Sequence, residues 1–442
     1  MRHLELHESS RPERHTLSDD AASTLNRLRI ATVTPEGGGE WTIANIRKVG
    51  VVRIDGQQIL IRPKVPISQL FFMMQFALNP KFWLNEEIQL DSDKNLLNAM
   101  AVAFLRQASK IWKQGFVQGY ETFEDARPMV RGRIDIAAQI RRQGGLAFPA
   151  QVVYDEFTID VPENRLLFSA LQRLLKLPML DSETRSGLRK LTPLFDGVKL
   201  LIPGQELPYI HYTRLNSRYR QALFLSEMIL RNSSVEHVKG QLTANAFLFD
   251  MWKIFEDFVT VTLAHNFADI GGKAKLQETG TFLDKEGRLA LRPDLVWHGP
   301  DRRLAIIDAK YKAPDSMKYP NADVYQMLAY CIRFGLTAGH LVYAQGQEHS
   351  QLHDIVGHQT IVQCHAVDLE LPPPDLLKQM SRLASTIACC APRPPAQSNS
   401  TAGTWRPNSD GGNQSALYSD VQFVVNAHES GTCNELKDWP YT

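Results

Sequence analysis

Arg292-Pro293-Asp294 and, one turn later, Ile306-Ile307-Asp308-Ala309-Lys310 bring two carboxylates and an amine to the end of a β-hairpin. Side chains alternate along a strand, so Asp308 and Lys310 share a face while Ala309 points into the packing. Asp294 arrives from the neighbouring strand. Two acids and an amine gathered this way suit a hard divalent cation, Mg²⁺ or Mn²⁺, and a water beside a phosphodiester. Lys310 then has three candidate roles: orienting that water, stabilising developing negative charge, or taking a proton if its own pKa is depressed. The backbone carbonyl of Ala309 is a further candidate ligand. The same residues also read as an exposed edge pair with a turn aspartate after Pro293, and spacing alone leaves both readings open.

Three more side chains come within reach of this group. On an expected helix from Asn245 to Phe267, Leu248, Met251, Trp252, Phe255, Phe258 and Val259 form an apolar stripe. Glu256 falls at its margin, either as a third acid or as a solvated boundary residue. Gln326 and Tyr330 lie one turn apart on a later helix and share a face. They read as partners of the lysine or of a DNA phosphate, or as a plain surface pair. Lys312 continues the Asp308–Lys310 face toward a DNA backbone. No G-x-x-x-x-G-K-[ST] phosphate loop and no G-x-G-x-x-G fingerprint is present, so any nucleotide-driven motor is a separate chain.

The elements that must position these residues follow from periodicity. From 245 to 345 the order reads α-β-β-β-α-β, which implies a sheet with helices packed on it. Strands are expected at Gln277–Leu283, Arg288–Trp297, Arg303–Tyr311 and His340–Ala344, and a helix at Asp323–Phe334. Leu304-Ala305-Ile306-Ile307 is apolar throughout, as a strand covered on both faces should be. Its C-terminal end is where open sheets place ligands. Residues 1–30 read as polar and irregular, and Trp41–Lys64 as β, with helices at Asn95–Phe116, Glu163–Leu177 and Leu215–Arg231. The fold class is α+β or α/β. Pattern and composition divide the chain into a β-rich 1–95, a mixed, mainly helical and basic 96–240, an αβββαβ unit at 241–390, and a low-complexity tail at 391–442 expected to be disordered.

The bulk numbers set bounds. A length of 442 residues suggests two or three domains. Net charge is +1, but residues 100–220 carry 18 Lys/Arg against 12 Asp/Glu. That excess, with Arg131 and Arg133 in it, either offsets phosphate charge or is a soluble helical surface. Five cysteines with no zinc spacing point to a reducing, cytoplasmic setting without disulfides. No apolar run spans a bilayer, and the polar N-terminus does not read as a signal peptide.

Pro293-Asp294 with Asp308-Ala309-Lys310-Tyr311-Lys312 resembles the PD-(D/E)xK nuclease pattern. Gln326-Met327-Leu328-Ala329-Tyr330 resembles the Q-x-x-x-Y element of such nucleases, and Glu256 the acid on their first core helix. Val130-Arg131-Gly132-Arg133-Ile134-Asp135, Glu163-Asn164-Arg165-Leu166-Leu167 and Ile61-Arg62-Pro63-Lys64 narrow the likeness. Over roughly residues 40–385 the chain resembles the McrC family, the nuclease subunit of McrBC-type 5-methylcytosine-dependent restriction systems. The resemblance implies a restriction-endonuclease-like core and Mg²⁺-dependent cleavage of methylated double-stranded DNA. It also implies an N-terminal region that binds and stimulates an McrB-like AAA+ GTPase ring. The implied metal ligands are Asp294, Asp308, Ala309 and Glu256, with Lys310 and Gln326 assisting and Lys312, Tyr330, Arg131 and Arg133 near DNA. Two other readings stay open: an activator of an NTPase ring with cleavage secondary, and a repair nuclease working alone. The tail departs from the family pattern.

Overall fold

The computed structural model describes residues 3–8, 11–54, 57–78, 80, 95–144, 148–237, 243–299, 303–311, 321–344 and 351–390. Lys312 and the tail from residue 391, for which disorder is expected, lie outside the described residues.

Two larger sheets carry the architecture, which is mixed α and β. The first has five strands in the order His3–His7, Gln57–Arg62, Lys48–Ile54, Thr243–Asp250, Ser233–His237. Alternating apolar residues build it: Val49, Val51, Ile59 and Ile61 are fully buried. Gly50 sits opposite Leu248 with φ 132°, and a Cβ there would lie 2.1 Å from the Phe247 carbonyl oxygen. Only glycine lets the two strands close at that point.

Residues 1–30 are not irregular: they hold strands His3–His7 and Glu13–Thr16 and helix Asp19–Arg27. The helix is capped by the Ser18 side chain, which accepts from the Ala21 amide.

A second correction concerns residues 243–250, which form a strand rather than the start of a helix. The helix begins at Met251, because the Asp250 carboxylate accepts from the amides of Trp252 and Lys253 and caps it. The division at residue 240 therefore falls between two paired strands of the first sheet, Ser233–His237 and Thr243–Asp250. A chain cut at 240 loses the strand that pairs with both Lys48–Ile54 and Ser233–His237. Such a fragment is expected to lose its cooperative thermal transition by circular dichroism. A sharp transition would show that the sheet survives without its fourth strand.

The second sheet has six strands in the order Lys273–Leu276, Leu295–His298, Arg303–Lys310, Ala338–Ala344, Ile361–Val367, Gln351–Asp354. The first three run antiparallel, and Arg303–Lys310 is parallel to Ala338–Ala344. The expected strand Gln277–Leu283 is not part of this sheet: its place is taken by Lys273–Leu276, which ends before it, and Arg288–Trp297 shrinks to Leu295–His298. Between them Thr281–Phe282 and Ala290–Leu291 form a small separate hairpin around the Asp284–Gly287 turn.

Alternation along Arg303–Lys310 sorts its residues between two cores. Ala305, Ile307 and Ala309 pack with helix Met251–Ile270 and helix Pro373–Cys390 in the large core that also takes in the first sheet. Ile306 packs on the opposite face with Met327, Tyr330 and Cys331 of helix Asn321–Phe334. That helix lies close to its strand because Gly339 leaves room. A Cβ at 339 would meet Met327 Sδ at 2.5 Å.

The middle of the chain contributes helices Leu96–Gln114, Pro162–Lys176, Ser182–Leu191 and Arg220–Asn232. It also contributes a separate three-stranded sheet, Gly119–Arg127, Ala150–Thr158 and Arg133–Ile134, with its own small core of Ala150, Val152 and Tyr154. Among the described residues no helix is long and apolar enough to cross a membrane.

Candidate active site

The pairing register aligns the site. Leu276 pairs with Leu295, and Leu295 with Ile307. One step further on, Gln277, Asp294 and Asp308 line the same end of the sheet, and Asp308 pairs onward with Leu341. Asp294 has the parity of Val296, and Asp308 and Lys310 that of Ile306, so all three acidic and basic groups fall on the face covered by helix Asn321–Phe334.

Local bonds hold the group. Asp294 Oδ2 accepts from the Ala309 amide at 2.7 Å, which ties the two strand ends together at the site. Lys310 Nζ forms an ion pair with Asp308 Oδ2. Lys310 Nζ also donates to Gln326 Oε1 at 3.0 Å. Gln326 Nε2 donates to the Tyr330 hydroxyl at 2.7 Å, and that hydroxyl donates to the Arg292 carbonyl at 3.2 Å. A relay of four groups thus fixes the ammonium, and its Gln326–Tyr330 link is the one that helical spacing makes possible.

Burial makes this arrangement electrostatically costly. Asp308 is 2% exposed and Lys310 7%. Burial raises the Asp308 carboxyl, and the Lys310 charge offsets only part of that rise. Burial, with the charges of Asp308 and Glu256 beside it, pushes half-buried Asp294 up to about 8. Burial pulls Lys310 down, but Asp308 and its hydrogen bond outweigh it and leave the ammonium above its usual value. Lys310 is therefore a fixed cation at neutral pH. That direction favours the roles in which Lys310 orients the water or stabilises negative charge over the one in which it takes a proton.

Glu256 approaches from the helix on the other face of the sheet. It is half-buried, and its Oε1 accepts from Gln277 Nε2 at 2.6 Å. Gln277 is a site residue that sequence reasoning missed. Its side-chain oxygen accepts from Arg292, its amide donates to the Asp294 carbonyl at 2.9 Å, and its φ is 46°. A non-glycine residue in the left-handed region stores strain, which commonly accompanies a functional site. No residue-type signal marks this position, because its role comes from backbone shape. Asp323 was missed as well. It is buried, accepts from the Tyr343 hydroxyl at 2.9 Å, and adds negative charge near Asp308 and Lys310.

The structure thus gathers Asp294, Asp308, Ala309, Lys310, Gln326 and Tyr330, with Glu256 joined through Gln277. Arg133 belongs to the separate three-stranded sheet, and Arg131 lies in the connection that leads to it. Arg131 lies over the Tyr154 ring at 4.7 Å and faces Glu156 at 3.8 Å, and Arg133 is exposed. Among the described residues no group of three or more His, Cys, Asp and Glu forms a ready-made metal cluster. Buried Asp308 and half-buried Asp294, with a third acid in electrostatic reach, are nonetheless a donor set of hard oxygens whose mutual repulsion a divalent cation would offset.

Comparison with known proteins gives concordant matches. A family model described as "McrBC 5-methylcytosine restriction system component" matches residues 44–344. The Type IV methyl-directed restriction enzyme EcoKMcrBC of Escherichia coli (strain K12) is 23% identical over 286 residues, covering 61% of this chain and 81% of that protein. A chain in the refined half-complex of Thermococcus gammatolerans McrB AAA+ hexamers with bound McrC superposes with a TM-score of 0.55 at 16% identity. That match covers 87% of this chain and all of the other, and the likeness is one of fold.

Proposed function

Because the chain belongs to the McrBC 5-methylcytosine restriction system component family, we propose that it is the DNA-cleaving subunit of such a system, a Mg²⁺-dependent endonuclease with a PD-(D/E)xK core. The observation that carries the reading is the buried Asp308–Lys310 ion pair beside Asp294, closed by Gln326.

Asp294, Asp308 and the Ala309 carbonyl would hold Mg²⁺, with Mn²⁺ equally suited, and Glu256 would join through the Gln277 bridge. When bound, the metal supplies a polarised phosphoryl group and a water of lowered pKa. Lys310 donates to the non-bridging phosphate oxygen on which negative charge grows as the water attacks. Gln326 and Tyr330 keep that ammonium aimed, so its orientation costs nothing at the moment of reaction. Asp308 keeps it protonated.

The McrB AAA+ hexamers that bind the structural relative support a partner of the McrB type, and the 5-methylcytosine family description and the methyl-directed relative support methylated DNA as substrate. The small sheet and its connections carry exposed apolar side chains, Tyr120, Met129 and Ile136, each at least 70% exposed, of the kind that suits a protein contact. These exposed residues also favour a second reading, in which the chain chiefly activates the ring.

The test is cleavage of methylated duplex DNA with Mg²⁺, in the presence and absence of partner and GTP. The proposal predicts cutting only with both. Robust cutting by the isolated chain would instead assign it to the stand-alone nucleases. Stimulated GTP hydrolysis without any cutting would leave the activator reading.

A further inference from the structure

The strand end that presents Lys310 is fastened to the beginning of the chain. The ladder between Arg303–Lys310 and Ala338–Ala344 ends at the Lys310–Tyr343 pair. The next residue, Tyr311, is held by two contacts from other elements. Its ring lies 5.8 Å from that of Phe255, which precedes Glu256 on the opposite helix. Its hydroxyl donates to Glu8 Oε2 at 3.2 Å.

Glu8 is itself fixed. It is 4% exposed and directly follows the edge strand His3–His7. Its amide donates to the Arg62 carbonyl at 2.9 Å, and its carboxylate accepts from the Lys64 amide at 3.2 Å. The Arg62–Lys64 backbone therefore holds the glutamate from the first sheet, and the glutamate holds Tyr311. Burial pushes the Glu8 carboxyl up to about 7, a cost that a surface residue would not carry.

The direction of a side chain at the last paired residue of a strand depends on where the following residue is anchored. A misplacement of about 1 Å at a reacting group lowers a rate by about 10²-fold. We propose that the Glu8–Tyr311 hydrogen bond clamps the end of this strand, so that Glu8 and Tyr311 are positioning residues for Asp308 and Lys310 and couple the first sheet to the site. The functional half of this proposal rests on the nuclease reading above. The structural half does not.

The experiment uses the full chain with its GTPase partner and three variants: Tyr311→Phe, Glu8→Ala and Glu8→Gln. Two quantities are read: kcat for DNA cleavage, and amide exchange over residues 306–310, which include the Ala309 amide bonded to Asp294. Tyr311→Phe keeps the ring against Phe255 and removes only the hydroxyl. It is expected to lower kcat about tenfold and to speed amide exchange, with KM for DNA and the partner's GTP hydrolysis unchanged. Glu8→Ala should do the same, and the double variant should be no worse than either single one. Glu8→Gln keeps an oxygen acceptor for the tyrosine and should restore both readouts. Wild-type kcat and exchange in Tyr311→Phe would overturn the proposal. If the wild-type chain does not cut DNA, the nuclease reading fails and exchange alone decides: faster exchange in Tyr311→Phe supports the clamp, and unchanged exchange overturns it.

Discussion

Lys310→Met is expected to lower DNA cleavage about 10²- to 10³-fold, the cost of removing one preorganised donor to transition-state charge, while the partner's GTP hydrolysis stays stimulated. Methionine keeps most of the buried stem and removes the charge. Asp308 then loses its ion pair in a site where it is 2% exposed, so its carboxyl rises further and the cation is held less well. Both effects act in the same direction. The separation of activities follows from placement: Lys310 lies on the six-stranded sheet, and the exposed apolar residues suited to a protein contact lie on the small sheet of residues 119–158 and its connections. Steady-state cleavage and GTP hydrolysis measured on one preparation check it. Cleavage within threefold of wild type would remove Lys310 from the chemistry.

The second large effect concerns pH. Asp294 must be ionised to hold a cation, and burial with its acidic neighbours places its carboxyl at about 8. Protons therefore compete with Mg²⁺ below that value. At limiting Mg²⁺, cleavage is expected to rise with pH through about 8, and raising Mg²⁺ should move the midpoint to lower pH. The same shift has a stability consequence of opposite sign. The folded state binds a proton that the unfolded state has released between pH 4 and 8, so metal-free stability falls as pH rises through that window. Asp294→Asn removes the penalty and should raise the melting temperature of the metal-free protein at pH 8, by about 1–3 kcal/mol of added stability. A cleavage profile whose midpoint ignores Mg²⁺ would break the link between this carboxyl and the cation.

Much of the site was readable because it depends on short-range geometry. Alternation along Arg303–Lys310 placed Asp308 and Lys310 together, and the helical repeat placed Gln326 beside Tyr330, as the bond between them bears out. The apolar run before Asp308 marked a strand covered twice, and Ile306 and Ile307 do face two different cores. The failures have physical causes too. Ala246–Phe249 is a short apolar run, which periodicity cannot assign between strand and helix. The informative residue was Asp250, whose carboxylate caps the helix that starts after it. Gln277 carried no chemical signature, since its place in the site comes from a left-handed backbone. The Glu8–Tyr311 bond joins residues 303 positions apart, a separation no local pattern encodes.

Asp294 and Asp308 are expected to share one divalent ion. A calorimetric Mn²⁺ titration of the full chain, with Asp294→Asn, Asp308→Asn and Gln326→Ala in parallel, reads this out. The geometry predicts that either aspartate variant weakens the same site at least about tenfold, the scale on which even supporting groups of a metal site act. It predicts that Gln326→Ala binds nearly as wild type. Mn²⁺ affinity unchanged in Asp294→Asn or in Asp308→Asn would contradict it.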